Sequence, residues 1–164
     1  MDESEGQAQE RSPRGRYFED FEIGEAMVSL GRTVTETDIV LFAALSGDYN
    51  PLHTDAEFAR KTTFGQRVAH GLLGLTLASG LGMRLGFIEG TAEAFRELRW
   101  KFSRPIFIGD TIHARFKVVE KKALPRLGGG LVTFEVSLLN QHDEIVQRGP
   151  WVVWVKGRPA GRKK

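Results

Sequence analysis

The chain has 164 residues, of which 41% are hydrophobic and 27% charged, with a formal net charge of +2 at pH 7. This length and composition are typical of one soluble domain with a full hydrophobic core. The absence of cysteine excludes disulfides, thiolate zinc sites and a cysteine nucleophile.

The two ends of the chain differ in composition from the part between them. Residues 1–16 contain acids and arginines without hydrophobic periodicity, which predicts a disordered lead-in and not a signal peptide. Residues 157–164 are basic, which is typical of a solvated tail and only weakly suggests nucleic-acid binding. We therefore expect a cytoplasmic domain spanning residues 17–156 that binds no nucleic acid.

The first half of this domain predicts one strand and two short helices. Residues 26–35 are rich in β-branched and apolar side chains, which favours a strand. A helix is expected over 35–47, where a threonine can cap the start and Gly47 can close the end. Another helical turn or two is expected over 55–62.

Residues 68–86 are apolar on every side, which predicts a helix buried on every side. A membrane span is the alternative interpretation of such a segment. The polar residues His70, Ser79 and Arg84 argue against a span because polar residues are costly in a bilayer. Four glycines inside the segment, at positions 71, 74, 80 and 82, are a further argument against it. We therefore expect a core helix that a ligand or another backbone approaches closely.

The remainder of the chain predicts four consecutive strands. The first covers 95–106, and the second begins near Ile112, where apolar and polar residues alternate. Two more strands lie on either side of a polar turn at 140–143. One buried helix followed by four strands predicts an α+β fold, with an antiparallel sheet around the helix.

The stretch SGDYNPLH, residues 46–53, combines an acid, an amide and a histidine around a proline. The Asn50-Pro51 step favours a tight turn, which can direct Asp48 and His53 into the same space. An imidazole beside a carboxylate suits general acid–base chemistry. The alternative is a solvated loop in which Asp48 forms an Asx turn.

His70 and Gly71 lie where the apolar helix begins. Free backbone N–H groups there, notably that of Gly71, could hold a developing oxyanion; the alternative is a plain helix start with a capping histidine. Ser79, further along the helix, is either a catalytic hydroxyl or a small residue that permits close packing. His113 and His142 are not expected in the site.

Other chemistries have weaker support. There is no G-x-S-x-G nucleophile elbow, histidine spacings typical of metal sites are absent, and the glycine-rich RLGGGL precedes a strand and not a phosphate-binding helix. We therefore expect neither a metal nor a resident cofactor.

Residues 45–81, with the motif G-D-x-N-P-L-H, the spacing to AHG and a serine in the helix, resemble the signature of the MaoC-like dehydratases. This family includes the R-specific enoyl-CoA hydratases. The stretch FSRPIFIGDTI resembles a strand–turn–strand of the same family. The resemblance covers about residues 17–155 and implies a hot-dog fold, in which an antiparallel sheet wraps around a long central helix.

The resemblance implies a role for each matching residue. Asp48 and His53 match the catalytic dyad, and Gly71 matches the donor to the thioester oxygen. Ser79 matches a helix hydroxyl near the dyad, and Asn50 a residue that supports the loop. The implied reaction is the reversible hydration of trans-2-enoyl-CoA to (R)-3-hydroxyacyl-CoA, with coenzyme A as part of the substrate, by a homodimer.

Several alternatives remain open at this point. The acyl group could be a branched or dicarboxylic acid of the mesaconyl type, or the carrier could be an acyl-carrier protein. A hot-dog thioesterase would need a carboxylate on the central helix, where none is present. A non-catalytic acyl-CoA binding subunit would be expected to lose part of the dyad.

Overall fold

The computed structural model describes residues 14–159. Within these residues there are four helices, α1 Glu36–Ser46, α2 Pro51–Thr54, α3 Ala56–Arg60 and α4 Gly71–Leu85. The strands are β1 Ala26–Val28, β2 Arg32–Thr33, β3 Ala92–Leu98, β4 Lys101–Phe102, β5 Thr111–Leu124, β6 Gly129–Leu139 and β7 Ile145–Lys156. Short 3₁₀ turns lie at Phe18–Asp20 and Pro125–Leu127.

All strand pairs are antiparallel, and the sheet order is β1-β5-β6-β7-β3, with β2 paired to β5 and β4 to β7. Helix α4 packs on one face of this sheet, where buried Leu73, Ala78 and Leu81 join the buried side chains of β5, β6 and β7. The ring of Phe116 lies so close to Gly82 that a Cβ there would overlap it. The expected α+β architecture, a sheet around a central helix, is confirmed.

Two expected strands are divided. The segment 26–35 forms β1 and β2, both paired to β5. The segment 95–106 forms β3, which begins at Ala92, and β4 after a break at 99–100. The helical turns expected over 55–62 are α3.

The expectation that α4 is buried on every side is wrong. Leu72, Thr76, Ser79 and Met83 form an exposed stripe along the helix, and Leu72 is 59% exposed. Among residues 14–159, no helix is long and apolar enough to cross a bilayer.

The expected lead-in and tail lie mostly outside the described residues. However, Arg16 at the end of the expected lead-in and Arg158 at the start of the expected tail are bonded to the domain. The N–H of Arg16 donates to the Phe87 carbonyl at 2.8 Å, its guanidinium bonds Glu25, and Arg158 is ion-paired with Asp20. The packed unit is therefore slightly longer than residues 17–156.

Candidate active site

The loop after α1 carries the acid of the predicted dyad. Gly47 ends α1 in the left-handed conformation, with φ 75°, which glycine adopts without strain. Asp48 follows, and its Oδ1 accepts a hydrogen bond from the Asn50 N–H at 3.2 Å. The Asn50 side chain accepts from the Leu52 N–H at 3.0 Å and so caps α2. The Asx turn considered above is therefore present at Asp48.

His53 lies in α2 and points into the domain, with 9% of its surface exposed. Its Nδ1 is 2.7 Å from the backbone oxygen of Val68. Because a carbonyl only accepts, Nδ1 carries the hydrogen and Nε2 keeps its lone pair. The neutral ring is thus held in the tautomer that can accept a proton at Nε2.

His70 is the residue immediately before α4, and only 2% of its surface is exposed. It does not cap the helix with its side chain; instead its Nε2 lies 2.9 Å from the backbone oxygen of Asp48. Its ring stacks on that of His53, with centroids 3.8 Å apart and an interplanar angle of 29°. His70 is therefore the N-cap residue by position, but its side chain bonds the Asp48 loop and not the helix.

These three side chains form one cluster. A carboxylate oxygen of Asp48 and a ring nitrogen from each of His53 and His70 lie within 4.8 Å of one another. The two imidazoles are buried, whereas Asp48 is exposed. The geometry therefore brings the expected acid and base together at the surface and adds a second imidazole beneath them.

Gly71, the first residue of α4, follows directly after His70. The carbonyl of His70 accepts from the N–H groups of Leu73 and Gly74, so the amides at the very start of the helix, including that of Gly71, have no acceptor within it. On its other side, Gly71 is approached by the ring of Phe102, which a Cβ would meet at 3.0 Å. The amide needed for an oxyanion is thus adjacent to the cluster.

The carbonyl of Gly71 is held from the sheet. Gln147 on β7, which is 2% exposed, donates from Nε2 to this carbonyl at 3.1 Å. Its Oε1 accepts from the indole Nε1 of Trp100 at 2.8 Å. A buried amide therefore fixes the first turn of α4 against β7, a contact that the sequence did not indicate.

Ser79 lies in the C-terminal half of α4. It is eight residues beyond Gly71, about 12 Å along the helix axis, and it lines an apolar cavity of ≈ 260 Å³. The cavity lies between the C-terminal half of α4 and the sheet, and its walls include Phe87, Phe95 and Trp151. The structure therefore places Ser79 at the wall of this cavity.

The cluster contains the donor types of a divalent-metal site. Its stacked geometry suits a metal poorly, because the lone pairs of the two rings lie in separate, nearly parallel planes 3.8 Å apart and do not converge on one ion. Both rings also make hydrogen bonds that fix them in this stack. Acid–base chemistry therefore fits the cluster better than metal binding.

The sequence of this chain is similar to a family model and to two enoyl-CoA hydratases. A family model described as MaoC like domain matches residues 20–137. The (R)-specific enoyl-CoA hydratase of Rhodospirillum rubrum is 42% identical over 103 residues, 62% of this chain and 69% of that protein. That of Aeromonas caviae is 35% identical over 133 residues, 80% of this chain and 93% of that protein.

Solved structures agree with these similarities. The monoamine oxidase regulatory protein of Archaeoglobus fulgius superposes with a TM-score of 0.82 at 41% identity, covering 90% of this chain and 98% of that one. A double-hotdog protein of Mycobacterium tuberculosis, at 21% identity, has a TM-score of 0.74 over 92% of this chain and 47% of its own, which supports the fold alone. With the family model, these matches show that the chain belongs to the MaoC-like dehydratases and is a hydratase of the hot-dog fold.

Proposed function

We propose that this protein reversibly adds water to the trans-2-enoyl thioester of an acyl-coenzyme A and forms the (R)-3-hydroxyacyl thioester. The observation that carries the proposal is the position of the His53 imidazole. Its Nε2 is free to accept a proton, and its ring lies within the same 4.8 Å cluster as the Asp48 carboxylate.

In the hydration direction, His53 removes a proton from water, and the water oxygen bonds to C3 of the enoyl group. The C2–C3 π electrons move toward the thioester, so that negative charge develops on its oxygen. The proton that His53 takes from this water is relayed through Asp48 to C2, so that OH and H of one water are added and both side chains return to their starting states. Because both new bonds form on the side of the dyad, the addition is syn.

The developing oxyanion is assigned to the N–H of Gly71. The positive end of the α4 dipole supports this interaction, and removing a single donor of this kind typically costs about 10²- to 10³-fold in rate. Deprotonating water beside a conjugated thioester requires no change of oxidation state. We therefore propose that neither a metal nor a redox cofactor takes part.

The apolar cavity beyond Ser79 is proposed to receive the acyl chain. Its aromatic lining favours hydrocarbon, and it lies on the same helix that begins at Gly71. A thioester held at Gly71 with its chain directed along α4 would extend toward this cavity.

We further propose a homodimer. Strand β3 ends the sheet order and exposes Phe95 and Leu98, at 52% and 40%. An apolar sheet edge of this kind is a surface for pairing with another strand. Sedimentation of the wild type and of Phe95→Lys tests the proposal: we expect a dimer for the first and a shift toward monomer for the second. A monomeric wild type would overturn it.

The reaction is tested with crotonyl-CoA by following the enoyl absorbance. The wild type should consume the enoyl band without releasing thiol, whereas Asp48→Asn and His53→Ala should each be at least about 10²-fold slower. His142→Ala is the matched control, since His142 is exposed in the β6–β7 turn, and should equal the wild type. The product's configuration is determined on a chiral phase.

Three outcomes would contradict the proposal. Release of thiol with loss of the thioester band would indicate a thioesterase. Binding without turnover on a panel of chain lengths, with mesaconyl-CoA and an acyl-carrier-protein thioester included, would indicate a binding subunit. Full activity in both dyad variants would show that the chemistry lies elsewhere.

A further inference from the structure

We propose that His70 is a positioning residue that fixes Asp48 and His53 relative to each other and to the start of α4. This inference rests on the proposed function for the roles of Asp48 and His53. The contacts that carry it do not depend on the reaction.

The first contact is between the His70 ring and the loop that bears the acid. Nε2 lies 2.9 Å from the backbone oxygen of Asp48, 22 residues earlier in the chain, and must be the donor because the carbonyl only accepts. Among the described residues, Nδ1 has no hydrogen-bond partner. Within the described part of the chain, the buried His70 ring is therefore held by a hydrogen bond to the backbone of Asp48.

The second contact is the stack with His53. The ring of Phe42 packs against His70 with centroids 5.0 Å apart, and the His53 ring stacks on it at 3.8 Å. His53 is also held at Nδ1 by Val68. With one hydrogen bond and one stacked face, the His53 ring has little freedom to rotate.

The third relation is along the chain. His70 precedes Gly71, and its own carbonyl accepts from the N–H groups of Leu73 and Gly74. A single buried residue thus contacts the acid's backbone, the base's ring and the first turn of the helix that supplies the oxyanion donor. Because displacements of about 1 Å can cost on the order of 10²-fold in rate, the loss of this residue should lower kcat.

Three substitutions separate positioning from simple packing. His70→Gln keeps an amide donor near the place of Nε2. His70→Asn has the same chemistry but a shorter reach, and His70→Phe keeps a flat ring without a donor. His142→Gln is the exposed control. Thermal unfolding of every variant is measured beside kcat and KM on crotonyl-CoA.

If His70 positions the acid through its hydrogen bond, His70→Gln should keep kcat within about tenfold of the wild type. His70→Asn and His70→Phe should lose about 10²-fold, each with KM changed less than about threefold, since the lost interaction acts in the transition state. If packing alone mattered, activity would follow Tm and His70→Phe would be the most active variant. That order would overturn the proposal.

Amide hydrogen exchange provides a measurement that needs no turnover. The Asn50 N–H, bonded to Asp48 Oδ1, should exchange at least about tenfold faster in His70→Phe and His70→Asn because the loop loses its attachment to α4. In His70→Gln the rate should stay near that of the wild type. Unchanged exchange in both other variants would overturn the positioning role, even with the hydratase activity confirmed. If the wild type does not hydrate enoyl-CoA but the Asn50 N–H still exchanges faster in His70→Phe and His70→Asn, the positioning role is supported and the proposed reaction is refuted.

Discussion

The side-chain amide of Gln147 donates to the carbonyl of Gly71 at 3.1 Å and thereby joins β7 to the first residue of α4. Gly74, one turn into the helix, leaves the space that this amide occupies, since a Cβ there would overlap the carboxamide of Gln147. The position of Gly71 is consequently set by the sheet as well as by the helix.

Gly74→Ala should displace Gln147 and lower kcat about tenfold or more with a smaller change in KM, because the oxyanion donor moves while most of the binding surface stays. Gly80→Ala is the matched control in the same helix, since a Cβ at Gly80 meets nothing within 4 Å. It should keep full activity and raise the free energy of unfolding by about 0.5–1 kcal/mol. Steady-state kinetics gives kcat and KM of both variants, and chemical denaturation gives their free energies of unfolding. Equal kcat and KM in the two variants would contradict the role of Gln147.

The cavity predicts a change in chain-length preference. Ala94, on β3, lines it, and Ala94→Phe should fill part of its volume. We expect kcat/KM to fall about tenfold or more for long enoyl chains and to change little for crotonyl-CoA, because a filled cavity excludes only the far end of the chain. Ala123→Phe, at an exposed position of β5, is the control. A uniform decrease across all chain lengths would show that the acyl chain lies elsewhere.

Removal of metal should leave the reaction unchanged. The stacked rings of His53 and His70 do not direct their lone pairs to a common point, and both make hydrogen bonds to backbone carbonyls. Dialysis against a chelator should therefore leave the rate of crotonyl-CoA hydration within experimental error. A loss of rate that returns on addition of Zn²⁺ would show that the Asp48–His53–His70 cluster is a metal site.

The stability of α1 should depend on pH through Asp38. Burial raises the pKa of Asp38, but hydrogen bonds from the Thr35 backbone and hydroxyl and from Arg32, with the charge of Arg32, bring it below the ordinary value of 3.8. A carboxyl whose folded-state pKa is lowered stabilises the fold above its unfolded pKa of about 3.9. That contribution is lost as the pH falls through the lower folded value.

Asp38→Asn should accordingly lower the free energy of unfolding at pH 7 by about 1 kcal/mol, the usual value of a helix cap. The difference between variant and wild type should shrink below about pH 4, near the unfolded pKa. Urea denaturation of both proteins at pH 7 and pH 3 measures this difference in the free energy of unfolding. A difference that is the same at both pH values would exclude the carboxylate as its source.

Caps and motifs formed by residues close together in the sequence predicted helices α1 and α4 and the residues of the dyad. The helix expected over 35–47 is α1, because its threonine cap and its closing glycine act within one turn of the chain. The sequence could also indicate Asp48 and His53, which lie only five residues apart. The expected core helix 68–86 is α4, shortened at its start because the residue before it, His70, has extended backbone with ψ 137°.

Long-range contacts could not be inferred in the same way. The bond from His70 to Asp48 joins residues 22 apart, and that from Gln147 to Gly71 joins residues 76 apart; neither leaves a local pattern. A useful signal was the presence of a histidine within an apolar segment, since a buried polar ring requires a partner. The sequence also did not indicate which face of α4 is covered, because apolar and small residues lie on every side of the helix.

The hydrogen bonds of His53 to Val68 and of His70 to Asp48 connect two short stretches of chain, 48–53 and 68–70, at both of their ends. The intervening residues, 54–67, contribute neither of these bonds. Insertions or deletions at exposed positions of this stretch should therefore spare these two bonds. Natural or engineered diversification of this protein would accordingly be best tolerated in that stretch.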